Sequence, residues 1–436
     1  MNKFFTYFVV LVATTLFAAC SDNDIASIGS SEEGYSPKVI GTMTSVAEFG
    51  AGEGDTDPLA GKSALYYDRK NSKLKFTWAE GDKTGVFAKD DVDHDQQVAF
   101  IVDPESISEQ EGSCSGVFNP VDGSIQPIIA NELYYSYFPY RDFSGGVFNY
   151  QHIPATFRGQ VQTANERMRL NWGERTTEQL AAFLQSEKDA AAHVGAYDYM
   201  AASATATAAA HVHFYYRHLA TLIRFYMYCP DIVPGTTEKP EDDFFIDSLQ
   251  VVNDEADFIL DATVDISEAT PTFTSTKTSH TMSLKFNPCI DMSNVLEDDT
   301  KVTYDYWRTT TTGTPKYYGY IMAYMMIAPI DLTDKANSKL YLYARKAISY
   351  YADVAEYNEA KGTSLTAEGF AALAKSEKIK TFVRKAYVAT LSQIKFEAGK
   401  HVQWNATAYA PEEPIHFTPV TLEGWTEEGK TIDLKD

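Results

Sequence analysis

The sequence predicts an all-β protein made of two tandem β-sandwich domains with small helical insertions. Three observations indicate this fold class. Aromatic residues are abundant, with 28 Tyr and 25 Phe, and such residues favour strands. Short β-branched and aromatic runs alternate with turns that draw on 25 Gly and 17 Pro. The length of 436 residues is more than one typical domain of about 150 residues would need, so we expect two domains.

The charge balance limits the partners of the chain. It has 37 Lys and Arg against 60 Asp and Glu, a net charge of -23. Nucleic-acid phosphates and anionic lipid surfaces are bound through basic side chains and repel a chain this acidic. We therefore expect no nucleic-acid partner.

The first residues predict export. Lys3 precedes an apolar run over 4–17, and small residues lead to Cys20. Residues 1–20 are typical of a secretory signal peptide, and the end of this segment is similar to a lipobox, in which the cysteine is lipidated. We predict lipidation (palmitate) at Cys20 and anchoring in the outer membrane. The alternative is a signal peptide cut elsewhere, with Cys20 incidental. The polar residues 21–36 then form a linker.

The first domain is predicted to span 37–205. Its first strand covers 37–48, and short strands follow with turn residues between them, a spacing typical of a sandwich. They are expected at 63–67, 73–78, 84–88, 98–102, 116–118, 132–139 and 146–150. A helical insertion follows over 163–192, where Leu180, Phe183 and Leu184 form an apolar stripe after the N-cap candidate Thr177.

The second domain is predicted to span 206–436. The boundary near Thr205 rests on a run of Ala, Ser and Thr over 201–210. A short helix is expected over 366–382. The strands are expected at 211–228, 244–252, 257–264, 281–286, 321–327, 386–391, 401–408 and 416–422.

Several residues have clear physical roles in this scheme. Gly81 and Asp82 form a hairpin turn, and Trp78 and Phe87 on either side of it are expected to be core anchors. Gly399 suits a turn that needs a positive φ.

Five features in order resemble the fimbrillin family of pilus subunits from Gram-negative anaerobes. They are the lipobox, Phe76–Phe87 (FTWAEGDKTGVF), Tyr134–Tyr140 (YYSYFPY), Phe214–Phe225 with its His218-Leu219-Ala220-Thr221-Leu222 centre, and Phe396–Trp404 (FEAGKHVQW). Residues 163–192 and 340–382 have no counterpart in this pattern and are interpreted as insertions.

The resemblance implies two transthyretin-like sandwiches and a surface-exposed structural or adhesive fimbrial subunit. It implies export to the cell surface as a lipoprotein, removal of the first strand by a protease, and filling of the resulting groove by a strand of a neighbouring subunit. Partners would be other fimbrial subunits, in a homo- or hetero-polymer, and a host protein or glycan receptor. The candidate displaced strand carries Val39, Ile40, Met43 and Val46. The candidate donors are the final strand, with Ile415, Phe417, Val420 and Leu422, and the tail 423–436.

The sequence offers two candidate cleavage positions. The family's major subunits are cut after an arginine close to the first strand, whereas the first arginine here is Arg69. Lys38 and Lys62 are the earlier basic residues after the signal peptide, and we take Lys38 and Arg69 as candidate cleavage positions. The alternative is an anchor or tip subunit that keeps its lipid.

The motifs of catalysis and metal binding are incomplete. The acidic run Asp91–Asp95 has Gln96 and Val102 where an EF-hand needs Gly and Glu. His211 and His213 fall on one face of a strand and His218 on the other, so zinc would need a ligand from elsewhere. Cys114 lies between glycines, as in a nucleophile elbow, but no helix follows. We predict no enzyme activity, catalytic residues, cofactor or metal.

Two rival functions stay open at this point. A carbohydrate-binding surface lipoprotein on the same scaffold would expose a flat row of Trp and Tyr. A secreted hydrolase would need a cleft with a coupled nucleophile and base. The fimbrial interpretation instead requires residues 37–48 to be inserted as a strand in the first domain.

Overall fold

The structure is a computed structural model in which most of the chain is strand. It describes residues 38–43, 46–48, 64–68, 73–89, 97–107, 115–121, 128–142, 149–164, 188–230, 244–291, 318–391, 394–407, 416–418, 420–424 and 430–432. Its strands are β1 (Lys38–Met43), β2 (Val46–Glu48), β3 (Ala64–Asp68), β4 (Lys73–Thr77), β5 (Lys83–Ala88), β6 (Val98–Val102), β7 (Ser115–Pro120), β8 (Leu133–Phe138), β9 (Ile153–Thr156), β10 (Gln160–Gln162), β11 (Met200–Thr205), β12 (His211–His218), β13 (Thr221–Pro230), β14 (Phe244–Val252), β15 (Phe258–Val264), β16 (Phe273–Ser279), β17 (Thr281–Asp291), β18 (Tyr318–Ile327), β19 (Ile330–Asp331), β20 (Ser338–Tyr350), β21 (Ile379–Leu391), β22 (Lys395–Phe396), β23 (Lys400–Thr407), β24 (His416–Thr418), β25 (Val420–Gly424) and β26 (Lys430–Ile432). The predicted all-β class is confirmed.

Seven strands close into a barrel in the order β1-β12-β11-β8-β5-β6-β7. Closure leaves no unpaired strand edge, which removes the usual site of unwanted pairing. Its interior is aromatic. The predicted anchors Trp78 and Phe87 are both buried, at 3% and 1% exposure. The glycine at position 81 has φ +88° in the turn between them, as the turn prediction requires.

The other large sheets lie mostly in the second half of the chain. One has the order β10-β17-β14-β20-β21, and another has the order β18-β13-β23-β25-β26 with β24 also paired to β23. Smaller sheets are β16-β15-β9, β2-β4-β3 and the pair β19-β22. Fully buried apolar side chains fill the large sheets, among them Phe225, Leu249, Leu284, Tyr324, Leu342 and Trp404.

The first predicted strand is two strands in the structure. β1 ends at Met43, and β2 begins at Val46 and pairs with β4, with Val46 opposite Lys75. The prediction of one strand over 37–48 is therefore wrong in its extent. β-branched residues occur throughout this stretch, so sequence pattern alone does not locate the break.

The chain passes between the barrel and the other sheets more than once. β9 pairs with β15 and β10 pairs with β17, although both precede β11 and β12 of the barrel. The predicted boundary near Thr205 falls between β11 and β12, which pair with each other through Met200 and His218. The change of sheet comes after His218, where β13 follows.

Two short α-helices, α1 (Val354–Lys361) and α2 (Ala367–Ala372), and a 3₁₀ turn at Lys375–Lys378 lie between β20 and β21. Elsewhere in the described ranges, residues 188–191 are helical and 3₁₀ turns lie at Pro104–Ser106 and Val194–Ala196. The helix expected over 366–382 is thus confirmed only in its first half, because β21 already begins at Ile379. Thr366 caps α2 by accepting a hydrogen bond from the Gly369 amide at 3.1 Å.

The segment 340–382, interpreted as an insertion, contains most of β20, a long strand of the core sheet. Most of the predicted helical segment 163–192 and of the predicted strand 146–150 lies outside the described residues. Within the described ranges, no helix has the length and apolar character needed to cross a membrane.

Candidate functional site

The first strand of the described chain, β1, lies between two other strands of the barrel. β1 pairs in parallel with β12, with Lys38 opposite His211, and antiparallel with β7, with Val39 opposite Phe118. Both of its edges are therefore used in main-chain pairing. β1 is the element nearest the N-terminus in the described chain, and it completes a ring that the strands on either side leave open.

The side chains of β1 alternate between the barrel interior and the outside. Val39 and Met43 are fully buried, and Ile40 between them is partly exposed. Thr42 is held on the outer side by two neighbours, because its Oγ1 lies 2.8 Å from Ser115 Oγ and 2.8 Å from His213 Nε2. The inward positions are thus Val39, Gly41 and Met43, two residues apart.

The inner side of β1 rests on three aromatic rings, Trp78, Phe118 and Tyr216, which we call the seat of β1. The Trp78 indole donates a hydrogen bond from Nε1 to the Gly41 carbonyl at 2.9 Å. Its ring meets Phe118 edge-on at 4.9 Å and Tyr216 at 5.5 Å between centroids. Gly41 lies opposite Gly116 of β7, so the indole packs across a pair of glycines.

A buried hydroxyl cluster fixes one wall of the seat. The Tyr216 hydroxyl lies 2.6 Å from Ser136 Oγ and 2.7 Å from Thr84 Oγ1, and these two hydroxyls lie 2.8 Å apart. All three residues are fully buried. Burial raises the pKa of Tyr216 to about 12, so its hydroxyl stays protonated and able to donate.

A buried histidine–aspartate pair lies at the end of β12. His218 Nδ1 lies 2.8 Å from Asp198 Oδ1, and both side chains have no exposed surface. Phe76 packs on the imidazole at 5.0 Å between ring centroids. His218 therefore packs and hydrogen-bonds inside the protein, as the alternation of β12 predicts. Across the described ranges, no group of three or more His, Cys, Asp or Glu could hold a metal ion.

Only some of the site residues predicted from the sequence lie together in the structure. Val39, Ile40 and Met43 lie together in β1, whereas Val46 lies in β2 of another sheet. Lys38 is the first residue of β1. Cys20, Arg69, Ile415, Cys114 and the acidic run 91–95 lie outside the described residues.

The candidate donor strand is paired within its own chain. Phe417 belongs to β24 and lies opposite Ala406 of β23. Val420 and Leu422 belong to β25, where Leu422 lies opposite Val402 of the same β23. β26 then pairs with β25 at the edge of this sheet.

A second feature, not anticipated from the sequence, closes the outer edge of β18 with side chains. Gln160 accepts from the Met326 amide at 2.8 Å and donates to the Met326 carbonyl at 2.6 Å. Gln162 donates to the Met322 carbonyl at 2.8 Å and accepts from the Tyr324 amide at 3.2 Å. Both glutamines are 1% exposed, and their amide groups take the place of a neighbouring main chain.

A histidine completes this edge. His193 Nε2 lies 2.8 Å from the Tyr324 carbonyl, which can only accept, so the histidine donates from Nε2. Burial lowers the pKa of His193 and keeps the ring neutral. The only signal in the sequence is a pair of glutamines two residues apart in a short strand, which by itself does not identify their partners.

Exposed aromatic residues are sparse in the described part of the chain. The large apolar side chains that are exposed there are Ile129, Tyr215, Ile348, Phe382 and Val383. The two described tryptophans, Trp78 and Trp404, are buried at 3% and 0% exposure. They cannot form the flat aromatic row that sugar binding would use.

Comparisons with known proteins give fold likenesses alone. No protein-family model matches the chain, and no curated protein matches it. Among solved structures, a candidate cell adhesion protein of Bacteroides ovatus is 13% identical, with a TM-score of 0.40 over 91% of this chain and 100% of its own.

Two further structures are similar at the same low level. A fimbrial protein of Bacteroides vulgatus is 12% identical, with a TM-score of 0.31 over 80% of this chain and 93% of its own. A fimbrilin of Porphyromonas gingivalis is 10% identical, with a TM-score of 0.32 over 86% of this chain and 90% of its own. The structural neighbours thus include adhesion and fimbrial proteins, and the family that the sequence motifs resemble is represented among them.

Proposed function

We propose that the protein is a structural or adhesive subunit of a cell-surface fimbria, assembled when β1 is released and replaced by a strand of another subunit. One observation carries the proposal: the strand at the N-terminal end of the described chain is inserted between β7 and β12 of a closed barrel. A terminal strand in a central position is held mainly by main-chain pairing, which any other extended segment can supply.

Release of β1 would create an acceptor groove. β7 and β12 would each lose a pairing partner, and the sites of Val39 and Met43 would become apolar pockets. An open edge of this kind pairs readily with another chain, and the alternating pockets set its register. β1 is therefore a placeholder that keeps the subunit monomeric until assembly.

A cut that releases β1 must lie on the C-terminal side of this strand. A cut after Lys38 would leave Val39–Met43 attached to the rest of the chain, since Lys38 is the first residue of β1. A cut after Arg69 would separate β1, β2 and β3 from the barrel. Arg69 and the earlier Lys62 are therefore better candidates than Lys38.

Export, anchoring and domain organisation complete the proposal. Lipidation at Cys20 would hold the precursor at the outer membrane, with other fimbrial subunits as partners and a host protein or glycan as receptor. In this proposal the barrel of β1, β5–β8, β11 and β12 and the sheets built mostly from the second half of the chain are the two transthyretin-like domains. In this proposal the donor comes from the C-terminal region, which contains the predicted strand with Ile415, Phe417, Val420 and Leu422 and the tail 423–436.

A reversible lock on β1 tests the proposal. Ile40 lies directly opposite Val117 in the β1–β7 register, a spacing that suits a disulfide. The double substitution Ile40→Cys with Val117→Cys should tie β1 to the barrel. After trypsin treatment of the exported chain, the oxidised variant should form at least about tenfold less polymer than wild type, and dithiothreitol should restore assembly.

A second lock is the matched control. Tyr341 and Val388 lie opposite each other in the β20–β21 register, away from the barrel. The corresponding cysteine pair should leave polymer formation unchanged, as measured by size-exclusion chromatography and gel ladders. Assembly of the β1-locked chain at the level of this control would contradict strand release.

A further inference from the structure

The middle of the seat of β1 has no room for a side chain. A Cβ atom at Gly41 would lie 2.9 Å from Phe118 Cε2, 3.0 Å from Tyr216 Cε2 and 3.4 Å from Trp78 Cζ2. The first two distances are below normal carbon–carbon contact, which is about 3.5–4.0 Å. The seat is therefore filled at its centre by its own aromatic rings.

These rings cannot easily move aside. Tyr216 is held by the hydroxyls of Ser136 and Thr84, and Phe118 has no exposed surface. Trp78 packs on both rings and is tied to the carbonyl of Gly41 itself. Any residue offers that carbonyl, but only glycine offers it without a Cβ. The seat therefore requires two things of the strand that it holds: a main-chain carbonyl for Trp78, and no side chain at that residue.

We infer that the barrel accepts a replacing strand only when glycine occupies this central position, and that residues 422–426 of a second copy are the strand that meets this requirement. The inference rests on the strand exchange proposed above and defines its register. Between two apolar pockets, the seat selects an extended segment with glycine at the middle of five residues.

The C-terminal sequence contains one segment with this pattern. Every window of the predicted donor, Ile415–Leu422, places Phe417, Thr418, Pro419 or Val420 at its centre, and none is glycine. The segment 422–426 reads Leu-Glu-Gly-Trp-Thr, with Gly424 between Leu422 and Thr426 at two-residue spacing. The donor segment therefore joins the last residue of the predicted final strand to the beginning of the predicted tail.

A neighbouring glycine provides a matched control. Gly429 follows five residues later, but Glu427 and Thr431 flank it at the same spacing. In that frame a carboxylate would enter one of the two apolar pockets, which is unfavourable. Gly429 should not serve as the centre of a donor strand.

Assembly of the full chain tests the inference. Wild type, Gly424→Val and Gly429→Val are treated with trypsin, and N-terminal sequencing confirms that β1 has been removed. Overpacking of a filled site should reduce the association constant of the Gly424→Val chain about 5- to 100-fold, while Gly429→Val polymerises like wild type.

The outcomes separate the inference from the proposed function. Equal assembly of all three chains overturns the glycine requirement and leaves strand exchange standing. If wild type with β1 removed forms no polymer at all, the proposed function fails and the inference fails with it.

A peptide assay covers the case in which Gly424→Val disturbs its own sheet. Synthetic peptides of residues 418–430, with Gly or Val at position 424, are added to the trypsin-treated wild-type protein. The glycine peptide should raise the unfolding temperature of the barrel and change Trp78 fluorescence, and the valine peptide should bind about 5- to 100-fold more weakly. Equal binding of the two peptides overturns the inference.

Discussion

Two strand edges in this protein are closed in different ways. The gap between β7 and β12 is filled by the main chain of β1, whereas the outer edge of β18 is covered by the side chains of Gln160, Gln162 and His193. A main chain can be exchanged for another main chain, because every residue carries the same donor and acceptor. Side-chain closure depends on particular residues at particular positions and cannot be exchanged in this way. Of the two edges, the barrel edge is therefore the one whose covering strand another main chain could replace, as the proposed assembly requires.

The largest effect should come from the seat. Trp78→Ala removes the indole that covers Gly41 and Gly116 and leaves a cavity, so the free energy of unfolding should fall by about 3–5 kcal/mol. Denaturant unfolding measures the change in the free energy of unfolding, and hydrogen exchange measures the protection of the β1 amides.

Trp404→Ala, in the sheet that contains β18, is the control for this variant. Trp404 is also fully buried, so a similar loss of stability is expected, but β1 should keep its protection from exchange. Equal loss of β1 protection in both variants would show that the two regions unfold together.

The next effect concerns the edge of β18. Gln160→Leu leaves the amide and carbonyl of Met326 buried without partners, and the free energy of unfolding should fall by about 2–4 kcal/mol. Chemical denaturation measures the change. Gln250→Leu, a partly exposed glutamine of β14, should change stability by less than about 0.5 kcal/mol. Similar values for the two variants would refute side-chain closure.

The smallest effect tests how β1 is fastened. Thr42→Val removes the hydroxyl that meets Ser115 and His213 and should cost about 1 kcal/mol, because main-chain pairing of β1 is untouched. After trypsin treatment, β1 should also be released faster from this variant than from wild type. Thr42→Ser keeps the hydroxyl and should behave like wild type. A loss above about 3 kcal/mol would mean that side chains, not the main chain, hold the strand.

Local sequence patterns correctly predicted features that depend only on residues close together in the chain. The turn at Gly81 lies between two aromatic residues, and this arrangement correctly placed Trp78 and Phe87 in the core. The positive φ of Gly399 is likewise confirmed, at +66°. These positions depend on neighbours in the chain, so periodicity and turn chemistry determine them.

Features that depend on distant contacts were missed. Strand β20 was interpreted as part of an insertion, although its alternating Leu340, Leu342 and Ala344 pack in the core of a sheet. Gln160 acquires its role only because β10 lies beside β18, more than 150 residues away in the chain. The space at Gly41 is likewise set by rings from three other parts of the barrel. No local pattern encodes such neighbours.

The repeated passage of the chain between the barrel and the other sheets has a mechanical consequence. The main chain passes between the barrel and the sheets built mostly from the second half of the chain three times, between β8 and β9, between β10 and β11, and between β12 and β13. A force that pulls the barrel away from those sheets is therefore shared by three covalent connections instead of one. A single break in one of them would leave the two parts joined by the other two, so the covalent link between them survives one cut.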